Sequence, residues 1–457
     1  MGNKKATGFL CLRLVPCFAY VGAEDNRKGI PFVKIVSLLC KLIQFLMVAL
    51  SVTVHKALIL LVFLNHPYQS LALGELCDFF NGGAWSDKEY VNAGIPVLKV
   101  TNCKSTGFQL DGLNYLSEKS REKYKKNELV IGDVIIATVG SHPNLIESAA
   151  GRSCIVNSQV EGFYLNQNAV CVRTKDKKVL SQKYLGYLCK CADFQHYIQS
   201  RGRGAANQMR IAISSIKEYS FTLPDIQNQH YIADILSTYD DIIENNQKQI
   251  KLLEEAAQRL YKEWFVDLRF PGHENTKIVD GVPEGWIKEE IGKIIKKVHR
   301  TKQIVASEYK DEGSIPIVDQ SRAFVAGYTN DLEARVDFGI PIIVFGDHTR
   351  IVKLIQFPFA KGADGTQLII SDCLEMPQRL LYCSIMNVDL SNYHYARHFK
   401  YLKEEKIMIP TVKVANEFEN NVTGIFSKIQ NCRDEIIRCQ KTRDLLLPKL
   451  MSGEVEV

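Results

Sequence analysis

The sequence predicts an α+β protein with two globular α/β domains in an internal repeat, each followed by a long helix, and the two helices pair as a coiled coil. Apolar residues spaced three and four apart run from Ile232 to Trp264, and a similar pattern starts at Ile425. The stretches that precede the two helices also match, because FTLP ends at Pro224 and IMIP ends at Pro410. The chain is therefore predicted to be a duplication of one domain-plus-helix unit.

Residues 1–70 differ in character from the rest of the chain. They hold eight Lys and Arg against two Asp and Glu, and their apolar stretch from Leu42 to Leu64 is broken by His55 and Lys56. A membrane helix needs about 20 apolar residues, and a Lys near the bilayer centre costs about 3 kcal/mol. The apolar stretch also starts too far from Met1 for a signal peptide. We expect this segment to be an upstream extension outside the functional fold, with a membrane anchor or a packed appendage as alternatives.

Residues 71–225 are predicted to form the first globular domain. IPVLKV from Ile95 and DVIIATV from Asp133 are typical of strands, and the run from Tyr184 to Gln199 is typical of a helix. A basic loop that contains glycines, SRGRGAANQMR, follows this helix and ends at Arg210.

Residues 226–270 are predicted to contain the central helix. At about 1.5 Å rise per residue, the helix is a rod of roughly 50 Å. Its apolar face is too narrow for the helix to be stable without a partner helix. Asn246 is the one strongly polar residue of the seam and is predicted to set the register of the pair. The seam residues are Leu236, Tyr239, Ile243, Asn246, Ile250, Leu253, Ala257, Leu260 and Trp264.

The second half repeats this order with a linker at 271–281, a second domain at 282–410 and a C-terminal helix at 411–457. IPIV at Ile315 echoes IPVL at Ile95, and IPIIVFGDH from Ile340 echoes VIIATVGSH from Val134. Pro448 and Gly453 are predicted stop signals. Arg443 interrupts the second seam, which consists of Ile425, Ile429, Cys432, Ile436, Cys439, Leu446 and Leu450.

Composition limits the possible functions. The net charge of +6 lies entirely in residues 1–70, so residues 71–457 sum to zero and DNA binding would have to rest on local clusters. The 13 cysteines are scattered without a CxxC pair, which favours reduced thiols over zinc or disulfides. A P-loop, a dinucleotide fingerprint, HExxH and GxSxG are all missing, which argues against catalysis by this chain.

Basic clusters are the candidate DNA contacts. Guanidinium groups can grip phosphate or guanine, and amides can pair with adenine. A solvated loop or helix face is the simpler interpretation of the same clusters. His348 matches His142 across the repeat as either a turn residue or a DNA contact, and Trp264 and Trp286 are predicted packing anchors. The candidate DNA contacts are Arg201, Arg203, Asn207, Gln208, Arg210, Lys296, Lys297, Arg300, Lys302, His348, Arg350 and Lys361.

Three stretches resemble the specificity subunits of type I restriction-modification systems. They are LPDIQNQHYIADILSTYDDIIENN from Leu223, QRLYKEWFVDLRFPG followed by VPEGW from Gln258, and LLLPKLMSGEV from Leu445. The resemblance covers about residues 71–457. The chain departs from the family pattern in residues 1–70, which have no counterpart, and in Asn228-Gln229, where Glu-Gln is common.

The resemblance implies that each domain is a target-recognition domain that reads one half of a split double-stranded DNA site. The helices would pair antiparallel, space the half-sites, and dock two methylation subunits, to which restriction subunits add. S-adenosylmethionine, ATP and Mg²⁺ would belong to these partners, which carry adenine-N6 methyltransferase and ATP-dependent endonuclease activities in the cytoplasm. This chain would have no catalytic centre, no metal and no small-molecule substrate. The expected helix-pair and docking residues are Leu236, Ile243, Asn246, Ile250, Leu253, Leu260, Ile429, Ile436 and Leu446.

Three other functions remain open from the sequence. One is a stand-alone DNA-binding regulator that uses the same rod, and another is a membrane-tethered coiled-coil scaffold, although a membrane partner is not favoured. A fused methylase or nuclease is disfavoured by the missing motifs. DNA binding without a methylation partner and the effect of deleting residues 1–66 would discriminate among them.

Overall fold

The computed structural model describes residues 70–104, 107–140, 150–204, 209–298, 301–393 and 397–455. Ala72–Val457 form one compact unit. The expectation about residues 1–70 falls almost wholly on residues outside the described ranges.

Mixed helix and strand make up the first domain. Its helices are α1 Leu73–Leu76, α2 Arg121–Tyr124, α3 Gln182–Lys190, α4 Ala192–Gln199 and α5 Ile213–Lys217. Its strands are β1 Ser70–Ala72, β2 Cys77–Asn81, β3 Tyr90–Val91, β4 Ile95–Leu98, β5 Cys103–Lys104, β6 Gly107–Phe108, β7 Asn114–Leu116, β8 Val134–Ala137, β9 Val139–Gly140, β10 Ser153–Ile155, β11 Tyr164–Leu165, β12 Ala169–Thr174, β13 Met209–Arg210 and β14 Ser220–Thr222.

The second domain and the two long helices complete the described chain. The helices are α6 Ile226–Tyr261 (the central helix), α7 Gln378–Met386, α8 His398–Glu404 and α9 Val412–Met451 (the C-terminal helix). The strands are β15 Ile278–Val279, β16 Val282–Pro283, β17 Ile287–Glu290, β18 Gln303–Ile304, β19 Ile315–Val318, β20 Gly327–Thr329, β21 Arg335–Val336, β22 Ile342–Gly346, β23 Val352–Ile355, β24 Phe359–Gly362, β25 Thr366–Ile369 and β26 Lys406–Ile409.

A sheet with both faces covered forms the core of the first domain. Its strand order is β10-β8-β12-β2, with antiparallel neighbours. All four residues of β8 are buried. Val134 and Ile136 pack with Tyr184 of α3 on one face, whereas Ile135 packs into a second cluster. Successive side chains of a strand point to opposite faces, so a continuous apolar run such as VIIA fits a sheet that is covered on both sides.

The predicted duplication is confirmed by matched strands in the two domains. In each domain the IPVL or IPIV strand has a parallel neighbour, which is β11 for β4 and β24 for β19. The second domain places β22 between β23 and β25, as the first domain places β8 between β10 and β12. The echoes in the sequence therefore correspond to the same architecture.

One hydrogen-bonding glutamine also repeats. Gln182 accepts a hydrogen bond from the Thr174 amide (2.8 Å) and donates to the Val172 carbonyl (3.2 Å). In the second domain Gln378 accepts from the Ser371 amide (3.0 Å) and donates to the Ile369 carbonyl (2.8 Å). Each glutamine ties the first turn of a helix to the end of the preceding strand, which fixes the helix on the sheet.

The central and C-terminal helices pair antiparallel. Contacts run from Asp240 with Arg443, through Asn246 with Glu435, to Tyr261 with Phe418, so partner numbers fall as the central helix advances. The Asp225 side chain accepts hydrogen bonds from the first free amides of the central helix and so caps it. A π-turn, Lys262–Val266, follows the central helix.

The seam side chains are mostly enclosed. Leu236, Ile243, Asn246 and Ile429 are buried, whereas Ile250, Leu253, Leu260, Ile436 and Leu446 are partly buried. Asn246 donates to the Glu435 carboxylate of the other helix at 2.9 Å.

Each domain core joins one end of the helix pair. The first core includes Ile232 and Leu236 of the central helix and Leu450 of the C-terminal helix. The second core includes Trp264 and Phe418 near the opposite ends of the same two helices. The antiparallel arrangement therefore carries one domain at each end of a common rod.

The prediction that Pro448 ends the C-terminal helix is wrong. This helix continues to Met451 with Pro448 inside it, and Gly453 follows with a φ of 73°. Proline lacks the amide donor for the carbonyl four residues earlier and its ring crowds that carbonyl, but only three helical residues follow Pro448, so the helix ends within one turn of it. The predicted linker is also partly ordered, because β15 and β16 form a hairpin whose Asp280-Gly281 turn has positive φ at both residues.

A partly buried polar network attaches the first domain to the helix pair. The Tyr187 hydroxyl donates to Asp240 at 2.7 Å, Arg443 donates to the same carboxylate, and Lys190 lies 3.7 Å from it. Burial raises the pKa of Asp240, but Lys190 and Arg443 together lower the pKa further, so the net value lies below the usual one. Arg443 interrupts the apolar seam of the C-terminal helix, and its guanidinium pairs there with a carboxylate of the central helix.

Replacing Arg443 is expected to destabilise the chain in a pH-dependent way. Arg443→Met would leave Asp240 without its main partner, and at pH 7 we expect a loss of about 2–3 kcal/mol, less than for fully enclosed pairs because 29% of the Asp240 side chain is exposed. A carboxylate whose folded pKa is lowered stabilises the fold above its unfolded pKa of about 3.9, and this stabilisation disappears as the pH falls through the folded pKa. The difference between wild type and variant in urea unfolding should therefore shrink below about pH 4.

Arg259→Met is the matched control, since Arg259 also pairs with a carboxylate of the rod but is 83% exposed. Its effect should stay within about 0.5 kcal/mol. A loss for Arg443→Met that is equally large at pH 7 and pH 3 would contradict this role of Asp240.

Candidate nucleic-acid interface

A lysine-lined concavity of about 870 Å³ opens on the second domain. Its walls carry the side chains of Lys296, Lys297, Lys361 and Lys403, and none of its described lining residues is an Asp or Glu. Four cations without an acidic neighbour in the wall favour an anionic ligand. We call this site the lysine concavity.

Three chain segments build the lysine concavity. Lys296 follows a short turn, and its amide donates to the Ile370 carbonyl at 2.8 Å. Lys361 lies on β24 beside Gln303 of β18. Lys403 lies on α8, which can approach because residue 292 is a glycine: a Cβ there would lie 3.0 Å from the Lys403 Cβ. The simpler interpretation of this basic run as a helix face does not apply to residues 293–298, where a 3₁₀ turn ends at Lys293 and Ile295 forms a β-bridge.

The lysines differ in their surroundings. Burial lowers the pKa of Lys361, which makes its charge costly until an anion arrives. Lys296 has an exposed carboxylate, Asp372, at 3.7 Å. Lys302 lies outside the concavity wall and pairs with Asp331 at 2.7 Å and Glu333 at 3.1 Å, and these partners raise its pKa. To hold a phosphate, Lys302 would have to leave two carboxylates.

His348 and Arg350 lie on the turn between β22 and β23, away from the concavity wall. The His348 side chain is exposed, and its amide donates to the Gln320 side chain at 3.1 Å. Arg350 has a positive φ of 60°, and its guanidinium donates to the Leu390 carbonyl at 3.0 Å. The turn therefore exposes the imidazole of His348 to solvent, whereas the guanidinium of Arg350 is hydrogen-bonded to the backbone of the second domain.

In the first domain two of the predicted arginines lie opposite each other. Backbone hydrogen bonds of 2.9 and 2.8 Å join Arg203 and Arg210, and β13 pairs with β9. The Arg201 guanidinium lies over the Tyr197 ring at 3.7 Å. All three arginines are exposed. Asn207, Gln208, Arg300 and His142 lie outside the described residues.

Sequence reasoning missed part of the concavity. Lys403, Gln303 and Gln367 line it, and they come from segments far apart in the chain. Ammonium groups suit phosphate oxygens, and glutamine amides suit the edge of adenine. The only signal for Lys403 was the general basic character of α8, which does not reveal which side chains meet.

Within the described ranges, no group of three or more His, Cys, Asp or Glu side chains could hold a metal ion. No described helix is both long and apolar enough to cross a membrane.

Two similar domains lie on one antiparallel helix pair, and the second domain carries a cationic concavity. This arrangement is typical of a modular recognition protein. The family model described as "Type I restriction modification DNA specificity domain" matches residues 65–255. The matched residues include the first domain and most of the central helix, and this part of the chain belongs to the family of type I restriction-modification specificity subunits.

Individual relatives agree with this assignment. The specificity subunit of the type I restriction enzyme MjaIX from Methanocaldococcus jannaschii is 29% identical over 303 residues, which cover 60% of this chain and 69% of that protein. The EcoR124I/EcoR124II specificity subunit of Escherichia coli is 31% identical over 97 residues, which cover 21% and 24%. The crystal structure of the S subunit of a type I restriction-modification system from M. genitalium has the same fold, with a TM-score of 0.50 and 16% identity over 84% of this chain and 95% of that one.

Proposed function

We propose that this specificity subunit reads a bipartite double-stranded DNA site, with one half-site for each domain and a non-specific gap between them. The observation that carries the proposal is the attachment of the two domain cores to opposite ends of one antiparallel helix pair. A repeat of this kind presents two similar reading surfaces in opposite orientations.

The length of the rod fits this division. Leu236 belongs to the first core and Ala257 to the second. At about 1.5 Å per helical residue, the 21 steps between them span roughly 32 Å. One turn of B-DNA is about 34 Å, so the two domains can face the same side of the duplex in successive turns.

We further propose that the helix pair docks two methylation subunits, to which restriction subunits add. Several large apolar side chains of the helices face solvent, with exposed fractions of 64% for Leu252, 58% for Leu445 and 56% for Tyr231. S-adenosylmethionine, ATP and Mg²⁺ would be bound by the partners. A cytoplasmic location belongs to the same proposal and is supported by the ten cysteines of the described residues, all of which are free.

The partners would also supply much of the DNA affinity. Residues 71–457 carry 49 basic and 49 acidic side chains, after subtraction of eight and two in residues 1–70 from totals of 57 and 51. A chain without net charge attracts DNA only through local clusters such as the lysine concavity.

Coexpression of the chain with its methylation subunit, followed by sequencing of N6-methyladenine in genomic DNA, tests the proposal. We expect methylation at one split sequence with a constant gap. Methylation that depends on one uninterrupted sequence, or that is unchanged without this chain, would contradict it.

The lysine concavity makes a separate prediction. In the assembled methylation complex, the double variant Lys361→Ala/Lys403→Ala should weaken DNA binding at all sequences and reduce the slope of log affinity against log salt by about 0.9 for each lost phosphate contact. Fluorescence anisotropy at several salt concentrations measures this slope. Lys293→Ala is the control, because Lys293 is exposed nearby but pairs with Glu289 at 2.9 Å and does not line the wall. An unchanged slope for the double variant would remove the concavity from the interface.

A further inference from the structure

One ion pair joins the two domains directly. Arg322 of the second domain donates to the carboxylate of Asp111 of the first domain at 2.5 Å. Both side chains are largely exposed, with 60% and 64% of their surfaces accessible. The domains, whose cores join opposite ends of the helix pair, therefore also touch each other.

The loop that carries Arg322 is held firmly. Lys353, whose side chain is only 4% exposed, donates to the carbonyls of Asp319 and Ala323 on either side of Arg322. The ring of Phe324 lies under the guanidinium of Arg433 at 3.8 Å. Arg433 belongs to the C-terminal helix and pairs with Glu254 of the central helix at 2.8 Å. The Arg322 loop is thus fixed both to its own domain and to the rod.

The segment that carries Asp111 is also braced. The Gln109 amide donates to the Asn102 carbonyl at 2.8 Å, and the Asn102 side chain donates back to the Gln109 carbonyl at 2.9 Å. Phe108 and Leu110 pack against a buried cluster of the first domain. The turn then reverses at Gly112, whose φ is 65°. Both segments are therefore held to their own domains close to the two residues of the ion pair.

We infer that Asp111 and Arg322 form an interdomain clasp that fixes the spacing of the two domains, and that these positioning residues restrict the allowed gap between half-sites together with the helix pair. The effect on DNA rests on the proposed function, whereas the clasp itself is a property of the chain alone. A rotation of one domain about its attachment to the helices would change the distance between the two reading surfaces, and the clasp opposes such a rotation.

Charge reversal and charge exchange test the clasp. In the complex with the methylation subunit, wild type, Asp111→Arg, Arg322→Asp and the double exchange would methylate a plasmid library whose gap varies one base pair at a time. We expect each single reversal to lower the preference for the optimal gap over its neighbours by about threefold, as suits an exposed ion pair, and the double exchange to restore it. Half-site sequences should not change.

Arg335→Asp is the control, because Arg335 pairs with Asp337 at 3.0 Å inside the second domain with similar exposure. It should leave the gap preference as in wild type. Unchanged profiles for both single reversals, or no recovery in the double exchange, would overturn the clasp.

Hydrogen exchange of the purified chain gives a second readout that does not need DNA. Arg322→Asp should accelerate exchange of amides near residues 109–112, across the domain boundary, and the double exchange should reverse this. Failure of wild type to methylate any split site would count against the proposed function alone, whereas unaltered exchange in the first domain would count against the clasp alone.

Discussion

Phe418→Ala is expected to lower the free energy of unfolding of the second domain by about 3–5 kcal/mol, as for large-to-small changes at enclosed aromatic residues. Phe418 is completely buried. Its ring lies 5.1 Å from Phe265, 5.7 Å from Trp264 and 6.3 Å from Tyr261, in edge-on arrangements. The substitution would open a cavity where both long helices and the domain core meet.

Urea unfolding followed by tryptophan fluorescence measures this loss. Two of the three tryptophans, Trp264 and Trp286, lie in the same buried cluster, and Trp85→Phe would remove the signal of the first domain. Val412→Ala on the same helix is the control, since Val412 is 44% exposed and its loss should change stability by no more than about 0.5 kcal/mol. A loss below about 1 kcal/mol for Phe418→Ala would show that the joint is not packed as described.

Lengthening the rod by one heptad is expected to lengthen the gap between half-sites by about three base pairs. Duplicating residues 246–252 and the facing residues 429–435 preserves both seams and repeats the Asn246–Glu435 hydrogen bond. Seven residues add about 10 Å, and one base pair rises about 3.4 Å. The clasp between Asp111 and Arg322 would be pulled apart, so the gap preference should also broaden.

Methylation of the gap library by the complex with its methylation subunit measures the shift. A two-residue insertion in the central helix alone is the control, because it turns half of the seam by about 200° and should abolish assembly. A lengthened variant that still prefers the original gap would contradict the spacer role of the helices.

The helix pair was the most predictable part of the fold. Steps of three and four are a local property, so the sequence alone indicates a narrow apolar face for each helix. The partners of its polar members were not predictable. Asn246 contacts Glu435, and Arg443 contacts Asp240, because the antiparallel register brings together residues 189 and 203 positions apart.

The repeated strand sequences predict the duplication of the domain, but they do not predict the lysine concavity. IPVL and IPIV are recognisable because a buried strand needs a continuous apolar run. Side chains on the polar surface follow no such periodicity. A dense basic run indicates Lys296 and Lys297 from the sequence, whereas Lys403 joins them only through the packing of α8 on Gly292. The candidate DNA contacts in both domains therefore remain predictions.

Exchange of one domain is the most direct test of whether each domain reads its own half-site. The unit 71–225 would be replaced by the corresponding domain of another family member, the chimera would be coexpressed with the methylation subunit, and methylated adenines would be mapped. We expect one half-site to change while the other half-site and the gap stay as in wild type. A change in both half-sites, or in neither, would contradict the division of DNA recognition between two domains on a common rod.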